Sequence, residues 1–562
     1  GEGDSKWPIW SPNRSSPSPQ TPRMFLFENP VLQNELVSNL RQTRTFVLLF
    51  AYVGVLGFLI YTAWPAEERI DMSNSDKAKP LVNLLFVGQY MLMSLMAPSF
   101  AAGALTGEKE RDSFEMLLAS PMRPGAIVLG KLAASLGPLA ELMIGSLPVV
   151  MLCLPLGGVQ FFEVIAAYLA MISSITLFVM ISLWCSSYFS RTSASLVVSY
   201  LAILPLALTG VFIWQALDQL GEARLIVILT VVPAACLSVA ALLFADTTRR
   251  LLHAPDLGSA GREAIDLETE AESAVGLYIK RDEFPDRLFA PPKRTTFLPD
   301  DANPIYEKEI RSEIFSQGTL MLRLVIQISM LLAIGLMAVC LYLKPNLAPW
   351  YIAYVLLFNM LVGPVFTAGS VTSERERQTL DLLLTTLITP WQMMWGKLLS
   401  GLRVSSVLTS FLMWPVVLAC IMPLEFWKNL PTMGGYFLVV VLTCLTTAIT
   451  ALFCSTLFHK TSSSLLATYL ILITLFLLPL AAQEFVKVFV KSNEAHSVVQ
   501  FASMTSPFAA VFNLPLTISN SQGIPQVAIS VFFGHLLFAV LTNAALLLVI
   551  TWLFRVRWRV SE

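Results

Sequence analysis

The stretch SERERQTLDLLLTTLITPWQMMWGKL, residues 373–398, places four charges in its first five positions, although only 13% of the chain is charged. A close copy, GEKERDSFEMLLASPMRPGAIVLGKL, occupies residues 107–132. Extended back to Pro98 and Pro364, the two stretches align over 35 positions without a gap, and fourteen positions are identical. A charged segment that recurs at a fixed spacing indicates an internal duplication.

Two further pairs of segments support the duplication. NPVLQNEL (29–36) matches NPIYEKEI (303–310), and CSSYFSRTSASL (185–196) matches CSTLFHKTSSSL (454–465). The three pairs occur in the same order in both halves, which indicates a parallel repeat. We therefore predict a Pro- and Ser-rich disordered tail (1–27), a first six-span unit (28–245), a solvated linker (246–302) and a second six-span unit (303–562).

The composition is that of a membrane protein. Of the 562 residues, 55% are hydrophobic, and the mean hydropathy is +0.68. A helix needs about 20 mostly apolar residues to cross a bilayer. Twelve segments qualify: 45–64, 82–106, 126–156, 162–187, 194–217, 225–245, 320–343, 350–372, 393–423, 433–457, 464–486 and 527–554. The predicted fold is all-α and integral to the membrane, with twelve transmembrane helices in two parallel six-helix repeats.

Lysine and arginine are concentrated in alternate connections between the predicted spans. They include Arg111, Arg191, Arg249 and Arg377, whereas the opposite connection PLGGVQ (155–160) has none. Because positive loops stay in the cytoplasm, we expect both termini, the linker and both charged stretches on the cytoplasmic side of the cell (inner) membrane.

Each charged stretch is predicted to form one short amphipathic helix on that surface, at 107–119 and 373–385. Ser373 and Glu376 fit a capping box, and the acidic residues would lie in the first helical turn. Lys131 and Lys397 would extend their amines towards the interface. A solvated charged face is one interpretation, but the same charge order in both copies favours a protein partner beneath each half.

These motifs resemble the permease subunits of type-2 ATP-binding-cassette exporters. In that family a Glu- and Arg-rich helix between the second and third spans precedes a Leu-rich stretch, a proline and a Gly-Lys pair. The NP…E segments, with Asn303 suited to an N-cap and Pro304 to the first helical position, resemble the family's amphipathic entry helix. The family usually dimerises six-span subunits, so this chain is similar to such a dimer fused into one polypeptide.

The resemblance implies coupling helices that seat in separate ATPase subunits, two copies being expected. The residues that it assigns to these contacts are Glu108, Glu110, Arg111, Glu115, Glu374, Glu376, Arg377 and Asp381. The sequence contains no G-x-x-x-x-G-K-[ST] phosphate loop, since GALTGEK (103–109) has the wrong spacing. We therefore expect no enzymatic activity in this chain, with ATP and Mg²⁺ bound by the partner.

Other features bear on the transport pathway and on the classes of function that the sequence excludes. Glu141, Tyr90 and Phe358 are pathway candidates, and the apolar 487–526 segment is predicted to form re-entrant or interfacial helices on the outer face. The net charge of −1 gives no basis for nucleic-acid binding, and the four scattered histidines and seven cysteines predict no metal site. A secondary transporter and a non-transporting anchor of an ATPase-driven machine remain alternatives. No feature indicates a substrate.

Overall fold

The computed structural model describes most of the membrane-embedded part of the chain. The described residues are 49–57 in part, 78–111, 113–120, 122–152, 161–189, 191–217, 222–252, 303–311, 319–338, 348–376, 378–386, 388–421, 430–459, 461–489, 493–514 and 529–557. Within these ranges all regular secondary structure is helical, and ten helices are long and apolar enough to cross a membrane.

The first half consists of the helices before residue 253. They are α1 (Ala78–Ala101), α2 (Gly103–Glu110), α3 (Phe114–Leu118), α4 (Pro124–Met151), α5 (Phe161–Tyr188), α6 (Thr192–Leu217), α7 (Glu222–Ile226) and α8 (Val232–Leu252). A π-helical turn, Val227–Val231, joins α7 to α8. The α1 and α2 helices follow one another so closely that they form a single span, and Pro98 lies inside α1.

The second half repeats this order. Its helices are α9 (Pro304–Arg311), α10 (Thr319–Ala338), α11 (Ala348–Thr367), α12 (Thr372–Glu376), α13 (Leu380–Leu384), α14 (Pro390–Ile421), α15 (Leu430–Leu457), α16 (Thr461–Leu472), α17 (Leu478–Phe489), α18 (Asn493–Ser503), α19 (Pro507–Phe512) and α20 (Ile529–Arg557). A π-helical turn, Ile473–Leu477, joins α16 to α17.

The repeat is visible in the helix lengths. The α5 helix and its counterpart α15 are both 28 residues long, and each is followed after three residues by the next span. The structure therefore has the predicted two-repeat, all-helical architecture. The twelve-span count is not reproduced. Of the two remaining predicted spans, 45–64 lies mostly outside the described residues, and the apolar part of α10, Gln327–Ala338, is too short to qualify.

The two halves share one apolar core. The α6 helix of the first half packs on α10 and α11 of the second. Tyr200 on α6 and Phe358 on α11 are almost completely buried in the same cluster. In the described residues, therefore, the contact between the halves is a closed, packed surface.

Tyrosines of the fifth span in each half bind the second span, which contains a proline. The Tyr200 hydroxyl donates to the Leu95 carbonyl at 2.9 Å, and the Tyr469 hydroxyl donates to the Leu361 carbonyl at 2.6 Å. Both carbonyls lie three residues before a helix-interior proline. A proline disrupts the helical hydrogen bonds on its N-terminal side, and an exposed carbonyl in a membrane needs a partner.

Candidate functional site

The charged stretches do not form the continuous surface helices that were predicted. The α2 helix is the last turn of the second span, and it ends at Glu110. A short break follows, and α3 starts at Phe114. In the second half Gln378, with a φ of 56°, lies in the equivalent break, a conformation that only a minority of non-glycine residues adopt.

The predictions about this segment are therefore wrong in part. In the first half Glu108 and Glu110 lie at the end of α2 rather than in a first turn, whereas in the second half Glu374 lies in the first turn of α12, as predicted. Ser373 does not act as an N-cap, since it lies inside α12 and its backbone N–H donates to the Gly369 carbonyl at 2.9 Å. The second span therefore extends further along the chain than the position of the charged residues predicted.

The basic residue of each charged stretch binds the end of the fourth span. The Lys109 amine donates to the carbonyls of Ser187 at 2.7 Å and Phe189 at 2.9 Å. In the second half the Arg375 guanidinium donates to the carbonyls of Thr456 at 2.8 Å and Phe458 at 2.7 Å. Carbonyls at a helix C-terminus lack intrahelical donors, and a cation there also compensates the helix dipole.

The following acidic residue binds the start of the fifth span. The Glu110 carboxylate accepts from the backbone N–H of Thr192 at 2.7 Å and from its hydroxyl at 3.1 Å. Glu376 accepts the same two bonds from Thr461, at 2.8 and 3.0 Å. A side chain from one span thus caps the N-terminus of another, where N–H groups and the helix dipole favour an anion.

A serine near the C-terminus of the fourth span completes each connection. The Ser186 hydroxyl accepts from the backbone N–H groups of Leu105 and Thr106, at 3.1 and 3.0 Å. Ser455 accepts from Val371 and Thr372, at 3.0 and 3.2 Å. Two of the repeated motifs found in the sequence therefore bind each other in both halves. We call these clusters the first junction (residues 105–110 with 186–192) and the second junction (371–376 with 455–461).

The remaining acidic residue pairs with the lysine of the third span. Lys397 is 1% exposed, and its amine lies 2.9 Å from the Glu309 carboxylate, 3.7 Å from that of Glu374 and 2.6 Å from the Ser370 carbonyl. In the first half the Lys131 amine lies 3.4 Å from the Glu108 carboxylate. These lysines are buried in ion pairs, so the prediction that they extend towards the interface is wrong.

The third repeated motif joins the second junction through α9. Pro304 is the first residue of this helix, and Asn303 accepts from the Ile305 N–H at 3.1 Å, which confirms the predicted cap. The Lys308 amine contacts the Glu374 carboxylate at 2.8 Å. At Gly396 a Cβ atom would lie 3.0 Å from the Cβ of Ile305, so the absence of a side chain there allows α9 to approach α14. Lys397, the other residue of the Gly-Lys pair, binds α9 through its ion pair with Glu309.

The predicted partner-binding residues separate into two sets. Glu108, Glu110, Glu374 and Glu376 accept bonds from within the chain. Arg111 and Glu115 are exposed. Arg377 and the side chain of Asp381 lie outside the described residues. The sequence did not identify Met116 and Leu382, equivalent residues of α3 and α13 that are 79% and 73% exposed.

A comparison with protein-family models identifies the family of this chain. A model described as ABC-2 family transporter protein matches residues 30–249 and 293–557, once for each half. The chain belongs to the ABC-2 transporter family. It is thus a multi-pass membrane permease of the ABC transporter class, built from two permease units in one chain. A search of curated proteins finds no match.

The pathway candidates of this ABC-2 transporter protein lie in three separate places. Phe358 is fully buried in the core shared by the halves. Glu141 is half-buried on α4. Tyr90 lines a cavity inside the first half. Among the described residues, no group of three or more His, Cys, Asp or Glu side chains is close enough to hold a metal ion.

Proposed function

We propose that this ABC-2 family chain is the membrane subunit of an ATP-driven exporter, which couples to separate ATPase subunits in the cytoplasm. One ATPase would bind under each half, and ATP and Mg²⁺ would be bound by the ATPases. The observation that supports this most directly is the duplicated pair of exposed apolar residues, Met116 and Leu382, each on a short helix next to a rigid junction.

The geometry supports two separate roles within each charged stretch, partner contact and transmission of movement. The exposed residues Arg111, Glu115 and Met116, with Leu382 in the second half, would contact the ATPase. The paired residues behind them would transmit its movement, because Lys109 and Glu110 attach the end of the second span to the fourth and fifth spans. A force on α3 would therefore reach three spans together rather than bend one loop.

The proposed translocation pathway lies between the two halves, where α6 packs on α10 and α11. The buried aromatic residues Tyr200 and Phe358 close this contact in the present state. Movement of the junctions would separate α6 from α11 and open the pathway to alternate sides of the membrane. Such closure by packed side chains fits a resting state of an alternating-access transporter.

The test uses the full chain purified with its ATPase from native membranes. The double substitution Met116→Asp with Leu382→Asp should reduce ATPase co-purification at least tenfold, because two carboxylates would replace apolar contacts. Phe161→Asp is the matched control: it adds a carboxylate at a 51% exposed site at the opposite end of the bundle, and should retain the ATPase.

Transport itself is tested in sealed vesicles that contain the reconstituted complex. ATP-dependent efflux in the absence of any ion gradient is expected, whereas transport that needs only an ion gradient would identify a secondary transporter. Full retention of the ATPase by the double variant would show that the partner does not bind at α3 and α13.

A further inference from the structure

The first half contains an apolar cavity of about 220 Å³. Its walls come from α1, α5, α6 and the π-helical turn that leads into α8. Phe86, Met171, Phe178 and Ile228 line it and are almost fully buried. It lies in the part of the bundle distant from the junctions, because its α6 residues fall towards the end of that helix opposite Thr192.

Residues of both α6 and α8 line the cavity, so the gap between these two helices gives it an opening. Both helices pack on α5, but they make little contact with each other. Ile213, on the α6 side of the opening, is 52% exposed. The opening is therefore on the membrane-facing surface of the bundle, where the neighbouring molecules are lipids.

The second half fills the equivalent gap with its own chain. There α18 and α19 lie between the fifth and sixth spans, and α19 packs on α11, α15 and α20, the counterparts of the helices that surround the cavity. Phe508 is 4% exposed, and Ala509 is completely buried. Thr505 fixes the segment by donating to the Leu475 carbonyl at 2.9 Å. The first half has no such insertion, since only four residues separate α6 from α7.

The second half thus shows that the gap between the fifth and sixth spans can hold a narrow apolar segment. We propose that the cavity of the first half binds one acyl chain of a bilayer phospholipid. An empty apolar cavity loses the dispersion contacts of its lining, and a flexible alkyl chain that enters from the adjacent lipid restores them. Tyr90, predicted as a pathway residue, is here part of the wall of this lipid site.

One polar group supports a phospholipid rather than a simple hydrocarbon. The indole Nε1–H of Trp214, a lining residue, is buried and has no hydrogen-bond partner among the described residues. The Arg224 guanidinium lies 4.5 Å from the Trp214 ring centroid. An ester carbonyl at the head of the acyl chain can accept the indole hydrogen, and the phosphate can lie near the arginine.

The experiment uses the full-length chain in nanodiscs of phosphatidylcholine that carries a diazirine on the acyl chain. After irradiation, peptides that contain the lining residues of α5 and α6 should carry lipid adducts. The same diazirine placed on the choline head group should give none at Leu177 and Phe178, the lining residues of α5 that lie further along the helix from the Trp214 end of the cavity. Because no other component is present, adducts here require neither transported cargo nor an ATPase, so the result is independent of the proposed function.

The decisive comparison is between two phenylalanine substitutions on α5. Ala170→Phe fills the cavity and should reduce the adducts at least fivefold, whereas Ile172→Phe, at a 51% exposed site two residues away, should leave them unchanged. Thr209→Phe, from the α6 wall, repeats the test if Ala170→Phe does not fold. Equal adduct yields in the filled and control variants, or adducts spread evenly over all lipid-facing helices, would overturn the proposal.

Discussion

Lys397 is a lysine inside a membrane protein with two acidic neighbours and almost no contact with solvent. It is 1% exposed, while the side chains of Glu309 and Glu374 are 23% and 10% exposed. Removing one member of a buried ion pair leaves the other charge without compensation, which costs more than the pair itself contributes. The lysine is therefore a structural residue of the second junction.

The substitution Lys397→Met should destabilise the folded chain by about 3–5 kcal/mol, because two carboxylates would lose their buried cation. The measurement is thermal unfolding of the purified protein in detergent. Lys308→Met is the control, since that lysine contacts the same Glu374 but is 56% exposed, and surface pairs contribute about 0–1 kcal/mol. Equal losses in the two variants would contradict the distinction between buried and surface pairs.

Glu110 and Glu376 act as caps for helices to which they do not belong. Loss of a capping side chain costs about 1 kcal/mol, and the two carboxylates cap different helices through different partners, so we expect their effects to add. The double substitution Glu110→Ala with Glu376→Ala should therefore lower the stability by about 2 kcal/mol. Glu115→Ala, at an exposed position on α3, should leave the unfolding temperature unchanged; a similar decrease there would refute the capping role.

Sequence patterns identified these charged residues but not their partners. Repetition of the charge order showed that Glu108 and Glu374 matter, and the prediction assigned them to an external protein. The contacts with Ser113, Lys131, Thr379 and Lys397 are internal. A single sequence does not show which side of a helix contacts other helices of the same protein and which side is free to bind a partner. The Ser- and Thr-containing motif at 185–196 was the sequence signal available for these internal contacts, because it recurs in the second half together with the charged stretch.

At the scale of elements, the surroundings of the second junction depend on the close approach of α9 to α14. The Ile305 side chain packs into a cluster with Met393 and Leu398, and Gly396 leaves room for it. The order of Asn303 and Pro304 predicted where α9 begins. Its seating could not be predicted, because that depends on distances between segments about 90 residues apart in the chain.

The substitution Gly396→Ala should loosen α9, since the new methyl group would lie 3.0 Å from the Ile305 Cβ and 3.1 Å from the Asn303 side-chain amide. Faster amide hydrogen exchange in residues 304–311 is expected, with the rest of the bundle unchanged. Gly107→Ala, where a Cβ atom meets nothing within 4 Å, serves as the control. Unchanged exchange in 304–311 would mean that the side chain of Ile305 can move aside.

At the scale of the whole molecule, hydrophobicity and the repeat predicted the membrane class and the two-unit architecture. The segments 162–187 and 433–457 became the matched helices α5 and α15. The structural difference between the two halves was only partly predictable from the sequence. The long 487–526 segment indicated extra helices, and α18 and α19 confirm them. Their burial depends on a gap between the fifth and sixth spans, and the sequence alone does not show that such a gap exists.

Because α6 packs into a core with α10 and α11, the halves should associate without a covalent link. Two chains separated at residue 275 and expressed together should co-purify through a tag on one of them. Mixing the two halves after separate solubilisation is the control, and it should give little complex because the packed surface forms in the membrane. Failure of the co-expressed halves to associate would show that this contact is too weak to hold them.

The two junctions perform one task with different chemical groups, and this difference gives experimental access to each half alone. Lys109 presents a primary amine to the carbonyls at the end of α5, while Arg375 presents a guanidinium to those at the end of α15. Acylation removes the charge of an amine, but a guanidinium does not react under the same conditions. An amine-acylating reagent that reached both sites would therefore neutralise the cation at the end of α5 and leave the one at the end of α15 charged, without any change to the gene.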